Sequence, residues 1–96
     1  MRSDEAREIL RDVIKDIKKE TYDEIKKYFG SKGVCTRVIE GHSGKKYNVE
    51  IQAFWDHKPG MNIRVFISID DGGWQRIICP ITDDFIIAPD GSFIGE

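Results

Sequence analysis

Tyr47-Asn48-Val49-Glu50-Ile51-Gln52-Ala53-Phe54-Trp55-Asp56-His57 carries its apolar side chains on alternate residues. Tyr47, Val49, Ile51, Ala53 and Trp55 occupy the odd positions, while Asn48, Glu50, Gln52, Phe54 and Asp56 occupy the even ones. Successive strand side chains point to opposite faces, so this pattern predicts a strand with one buried face. Met61 to Asp70 repeats it, with Met61, Ile63, Val65, Ile67 and Ile69 set against Asn62, Arg64, Phe66, Ser68 and Asp70. Lys58-Pro59-Gly60 joins the two runs. Proline fixes φ there and glycine is free to take φ > 0. A connection this short forces antiparallel neighbours, because a parallel crossover needs a dozen residues or more.

Working outward, Val34–Glu40 reads as a shorter strand, linked to the next by Gly41-His42-Ser43-Gly44. On the other side, Asp71-Gly72-Gly73 signals a hairpin leading into a fourth strand, Trp74–Ile81. A three-residue loop would set Asp70 opposite Trp74, Ile67 opposite Ile77, Val65 opposite Cys79 and Ile63 opposite Ile81. A two-residue turn would instead bury Arg76 beside Ile67, and an unpartnered buried guanidinium is costly. The three-residue loop is therefore expected. It places Phe54, Arg64, Phe66, Trp74, Arg76 and Ile78 on the face away from the core. Pro89-Asp90-Gly91 is a turn that can close a small hairpin of Phe85–Ile87 on Ser92–Ile94, or leave an ordered tail across the sheet.

Before Gly30 the period is 3.6. Ala6, Ile9, Leu10, Val13, Ile14, Ile17, Ile25, Tyr28 and Phe29 recur at helical steps. Ser3 or Asp4 can cap the start, Asp4 and Glu5 suit the positive end of the dipole, and Gly30 can end the helix. Thr21-Tyr22-Asp23-Glu24 matches a capping box, and the apolar stripe is interrupted from Lys18 to Thr21. One continuous helix and two helices near 4–20 and 22–29 both satisfy the pattern. The expected architecture is α+β: an N-terminal amphipathic helix, kinked or not near Thr21, on one face of a four-stranded antiparallel meander, followed by the hairpin or tail.

Ninety-six residues fit a single domain, 1–96, with a core that needs no staples. A formal charge of -2 is too small to imply nucleic acid, a membrane surface or a strongly acidic partner. No apolar run approaches the roughly 20 residues of a membrane span. Cys35 and Cys79 cannot make a disulfide scaffold, and Met1 to Glu8 is too charged for a leader. The cytoplasm is the expected compartment, with both thiols reduced.

No catalytic, metal or phosphate motif rises above background, so the sequence predicts neither catalytic residues nor a cofactor. His42 and His57 sit in or beside hairpin loops, where solvated histidines are the rule. His57 follows Asp56, but neighbours in a strand point apart, which disfavours a dyad. Cys35 and Cys79 lie in apolar strands that offer nothing to lower a thiol pKa. The cysteines and histidines lack zinc-knuckle spacing, and Asp70, Asp71, Asp83, Asp84 and Asp90 do not follow an EF-hand pattern. Gly41-x-x-Gly44-Lys45-Lys46 has the wrong spacing for a phosphate loop and precedes a strand. The helical lysines and arginines are interleaved with acids, in pairs such as Glu8–Arg11, Asp12–Lys15, Asp16–Lys19 and Asp23–Lys27, which indicates a solvated face.

The ending Thr82-Asp83-Asp84-Phe85-Ile86-Ile87-Ala88-Pro89-Asp90-Gly91-Ser92-Phe93-Ile94-Gly95-Glu96 resembles the tail of a family of small uncharacterised bacterial α+β domains, a resemblance that implies no activity. In size and layout the chain is also similar to small immunity proteins that neutralise bacterial toxins, at the level of fold only. The expected function is a protein-binding or self-associating module acting through the sheet face opposite the helix or through the tail. The competing expectations are covering of that face by Phe85, Ile86, Ile87, Phe93 and Ile94, and a small-ligand or enzymatic pocket between helix and sheet.

Overall fold

The computed structural model describes residues 3–29, 34–70 and 81–95, without the side chains of Ser3, Tyr28 and Phe29. Two helices, α1 (Ser3–Lys18) and α2 (Tyr22–Phe29), precede five strands: β1 (Val34–Glu40), β2 (Lys46–Trp55), β3 (Ile63–Asp70), β4 (Ile81–Ile87) and β5 (Phe93–Ile94). The strands form one antiparallel sheet in chain order, β1-β2-β3-β4-β5. This is the predicted α+β meander, one strand longer than expected.

The break between the helices is the capping box. Thr21 Oγ1 accepts from the Glu24 N–H at 3.1 Å, and Glu24 Oε1 accepts from the Thr21 N–H at 2.9 Å. Two backbone donors that a new helix start leaves free are thus satisfied by one reciprocal pair. The Thr21 N–H, with the side-chain bond from Thr21, holds the Glu24 carboxyl below its usual pKa. Of the two readings open in the sequence, two helices is the one formed.

The period-2 reading holds on β2 and β3. Tyr47, Val49, Ile51, Ile63, Val65, Ile67 and Ile69 are buried, and they meet Ala6, Leu10, Val13, Ile17, Tyr22 and Ile25 from the helices. Burying seven large side chains of the sheet on one face, at about 1.5–3 kcal/mol each, is the main force seating the helices there. The α1 helix starts over the β1–β2 turn, where Glu5 meets Ser43, and ends over the C-terminal hairpin. There the Lys18 ammonium lies 5.3 Å from the Phe85 ring centre and 4.9 Å from that of Phe93. The Tyr22 hydroxyl donates to the Met61 carbonyl, anchoring α2 to the β2–β3 loop.

The fourth strand corrects the sequence reading. The edge of β3 pairs with Ile81–Ile87, in the register Ile63↔Ile87, Val65↔Phe85, Phe66↔Asp84, Ser68↔Thr82 and Ile69↔Ile81. The expected pairings of Ile63 with Ile81, Phe66 with the residue at 78 and Ser68 with the residue at 76 do not form. The expected loop Asp71-Gly72-Gly73 and the rest of the connection, residues 71–80, lie outside the described residues. The physical gain is on the core side: Phe85 and Ile87 become buried beside Val65 and Ile63.

The C-terminal stretch forms the hairpin rather than a tail across the sheet. Ile87 pairs with Phe93 and Ile86 with Ile94. Gly91 takes φ 89°, and the Asp90 carboxylate accepts from the Ser92 N–H (2.9 Å) and hydroxyl (2.6 Å). Phe85 and Ile87 point into the core, and the Phe85 and Phe93 rings meet edge to face at 5.7 Å. The expectation that this segment covers the outer sheet face is thereby overturned: it extends the sheet sideways.

Candidate functional site

Antiparallel partners share a face, so the register assigns the side away from the helices row by row. One row is Phe54, Arg64, Ile86 and Ile94; the next is Val34, Gln52, Phe66 and Asp84. Further along come Thr36, Glu50, Ser68 and Thr82, then Val38, Asn48 and Asp70. Apolar groups thus gather at the end where β2 leaves and β3 enters. Val34, Val38, Phe54 and Ile94 are each about half exposed or more, at 48%, 68%, 49% and 47%. Phe66 and Ile86 are half-buried among them.

Three residues expected on this surface are here together: Phe54, Arg64 and Phe66. Trp74, Arg76 and Ile78 lie outside the described residues, and the places opposite Ser68 and Phe66 that were expected for Arg76 and Ile78 belong to Thr82 and Asp84. Arg64 is not a free anchor. Its guanidinium bonds Asp84 across the strand and lies 3.3 Å from Asp56 beyond the end of β2. The bond to Asp84 leads in raising its pKa. The result is a fixed charge in the middle of the apolar rows.

A second cluster went unseen in the sequence. Glu5, 5% exposed, carries a carboxylate whose two oxygens meet four partners. Oε1 accepts from the Ser43 hydroxyl at 2.6 Å and the Tyr47 hydroxyl at 2.8 Å. Oε2 accepts from the Ser43 N–H at 3.0 Å and lies 2.9 Å from His42 Nδ1. The Ser43 hydroxyl bond, opposed by burial and reinforced by Tyr47 and the Ser43 N–H, pulls the Glu5 pKa from 4.5 to about 2. A buried carboxylate persists as an anion when its lone pairs are filled this way. So acidic a group is a poor general base at neutral pH, and its oxygens are occupied. The cluster is a latch between α1 and the β1–β2 turn. Gly41 completes it, since a Cβ there would stand 2.5 Å from the Glu5 carboxyl.

The remaining expectations fall into place around these. His42 remains 74% exposed although its Nδ1 faces Glu5. His57 is 89% exposed, with φ 75° past the end of β2, and its Nε2 is 3.9 Å from Asp56, beyond hydrogen-bond reach. Cys35 is half-buried and free, whereas Cys79 lies outside the described residues. The Asp16–Lys19 pair forms at 3.7 Å between exposed side chains. Among the described residues, no three His, Cys, Asp or Glu side chains converge to hold a metal, and no helix is long and apolar enough to cross a membrane. No family model, curated protein or solved structure matches the chain.

One cavity of about 690 Å³ lies between the helices and the underside of β1, lined by Asp16, Ile17, Glu20, Glu24, Ile25, Lys27 and Arg37. Its floor is Ile17 and Ile25, and carboxylates dominate the helical wall.

Proposed function

We propose that the protein is a small cytoplasmic protein-binding module whose docking surface is the sheet face opposite the helices. The observation that carries this reading is the distribution of exposed apolar side chains. Of the five large ones that are exposed among the described residues, Val34, Val38, Phe54, Met61 and Ile94, all but Met61 lie on that face. Val34, Phe54, Phe66, Ile86 and Ile94 gather at one end of this face around the clamped Arg64, the make-up of an interface core, while Val38 stands apart at the other end. Glu50, Ser68 and Thr82 border that cluster on one side, and Gln52 lies within it between Val34 and Phe66. In keeping with the resemblance to immunity proteins, the partner is a second protein whose activity the domain restrains.

The test compares wild type with the double variant F54E/I94E as bait in extracts of the source organism. A partner retained by wild type is then purified and titrated against both. At least a tenfold loss of affinity in the variant supports the reading, and equal affinity refutes it. Inhibition of the partner's activity by wild type alone would support the immunity-like role.

The alternative, a small-ligand site between helix and sheet, draws on the groove beneath β1. That groove is within the size range of ligand sites. Among the described residues its lining contains one aspartate, Asp16, and no aromatic.

A further inference from the structure

We propose that the edge of β1 and the groove beneath it form a second docking site, which takes an extended segment of another protein as an added strand with lysine or arginine on its inward positions. The inference is independent of the outer-face reading, because it uses a different surface.

Three observations carry it. First, β1 stands at the margin of the sheet and pairs only with β2 among the described residues. Seven residues, Val-Cys-Thr-Arg-Val-Ile-Glu, present that edge without proline or glycine. Such an edge is a template for another strand, and added strands gain affinity from main-chain hydrogen bonds and specificity from alternate side chains.

Second, the groove lies where those alternate side chains would go. A strand added at ~4.8 Å beyond β1 projects every other residue toward the helices. That side of β1 bears Arg37, which lines the 690 Å³ groove opposite α2 and the end of α1.

Third, the groove's charge selects the occupant. Ile17 and Ile25 give an apolar floor, while on the helical wall Asp16, Glu20 and Glu24 outnumber the one cation among the described residues there, Lys27, and Glu24 is already engaged by its cap with Thr21. Long basic side chains match this by laying methylenes on the floor and placing the cation at the carboxylates. Arg37 sets the register, since a like charge directly opposite it is disfavoured. The inward residue facing Arg37 is therefore neutral or acidic, and the basic residues flank it. The outward side chains continue the row of Val34 and Val38, so β-branched residues suit them.

The probe is the acetylated, amidated heptapeptide Thr-Lys-Val-Thr-Val-Lys-Thr, titrated into the labelled domain with amide chemical shifts and calorimetry as readouts. Shifts should concentrate at residues 34–40 and 16–27. Replacing both lysines with glutamate, or methylating alternate peptide nitrogens, should lower affinity at least fivefold. The exposed-residue variant D16N/E20Q should show the same loss, and F54E/I94E should bind as wild type does. The absence of shifts at millimolar peptide, equal affinity for the lysine and glutamate peptides, or shifts confined to the outer face would overturn the proposal.

Discussion

The Glu5 carboxylate, in the first turn of α1, accepts a 2.8 Å hydrogen bond from the Tyr47 hydroxyl at the head of β2, 42 residues further along the chain. With Ser43 and His42 on the other lone pairs, this contact fixes the start of the helical layer to one corner of the sheet. It also makes acid sensitivity a property of the fold.

The direction of that sensitivity follows from linkage. The Glu5 pKa is about 2 in the folded chain against an ordinary 4.5, so the unfolded chain binds the proton more readily. The latch contributes fully above the ordinary value, and its contribution is lost as pH falls from about 4.5 through about 2. Asp90, lowered chiefly by the Ser92 hydroxyl, and Glu24 act in the same direction. Glu5→Gln should therefore melt below wild type at pH 7, with a gap that narrows steadily towards pH 2. Thermal melts across that range check this, and a gap constant with pH would contradict it.

Gly41→Ala tests the same latch by crowding. The added methyl meets the Glu5 carboxyl at 2.5 Å and pushes it off its partners. Overpacking of this kind costs about 1–3 kcal/mol. In a Glu5→Ala background most of the cost should vanish, a non-additivity that denaturant unfolding of the four proteins would reveal. Additive effects would show that Gly41 is needed for another reason.

Thr21→Ala removes the Oγ1 acceptor of the capping box and should destabilise the domain by about 1 kcal/mol. The loss should fall on α2, read as faster amide exchange at residues 22–25, with the exchange of α1 little altered.

The strands β1 to β3 and the terminal turn were legible in the sequence because each is dictated locally, and the capping box marked the site of the helix break without deciding it. Thr21 and Glu24 form their own cap, and Val49 or Val65 reveals its face through its neighbours two residues away. The register of β4 was not legible. Asp71-Gly72-Gly73 is a strong turn signal, yet burial of Phe85 and Ile87 beside Val65 and Ile63 decides the pairing, and that gain is non-local. The partners of Glu5 were not legible for the same reason. Taken alone, an acid in a first helical turn is explained by the dipole, and its partners lie 38 and 42 residues away. One signal was available: Glu5 stands four residues before Ile9 and eight before Val13, at the margin of the apolar stripe. Of the candidate surface, Phe54 and Phe66 followed from the period of two, whereas Ile86 and Ile94 depended on the missed register.

Val65 and Phe66 are neighbours on β3 with opposite surroundings, one fully buried against the helices and the other half-buried on the spare face. Denaturant unfolding of Val65→Asp and Phe66→Asp measures directly whether that face is spare. A buried, unpartnered carboxylate at position 65 should cost at least about 4–5 kcal/mol and abolish cooperative folding, while position 66, half-buried and opposite Asp84, should lose about 2 kcal/mol and still unfold cooperatively. Equal collapse of both variants would show that the outer face belongs to the core and is not a surface left for a partner.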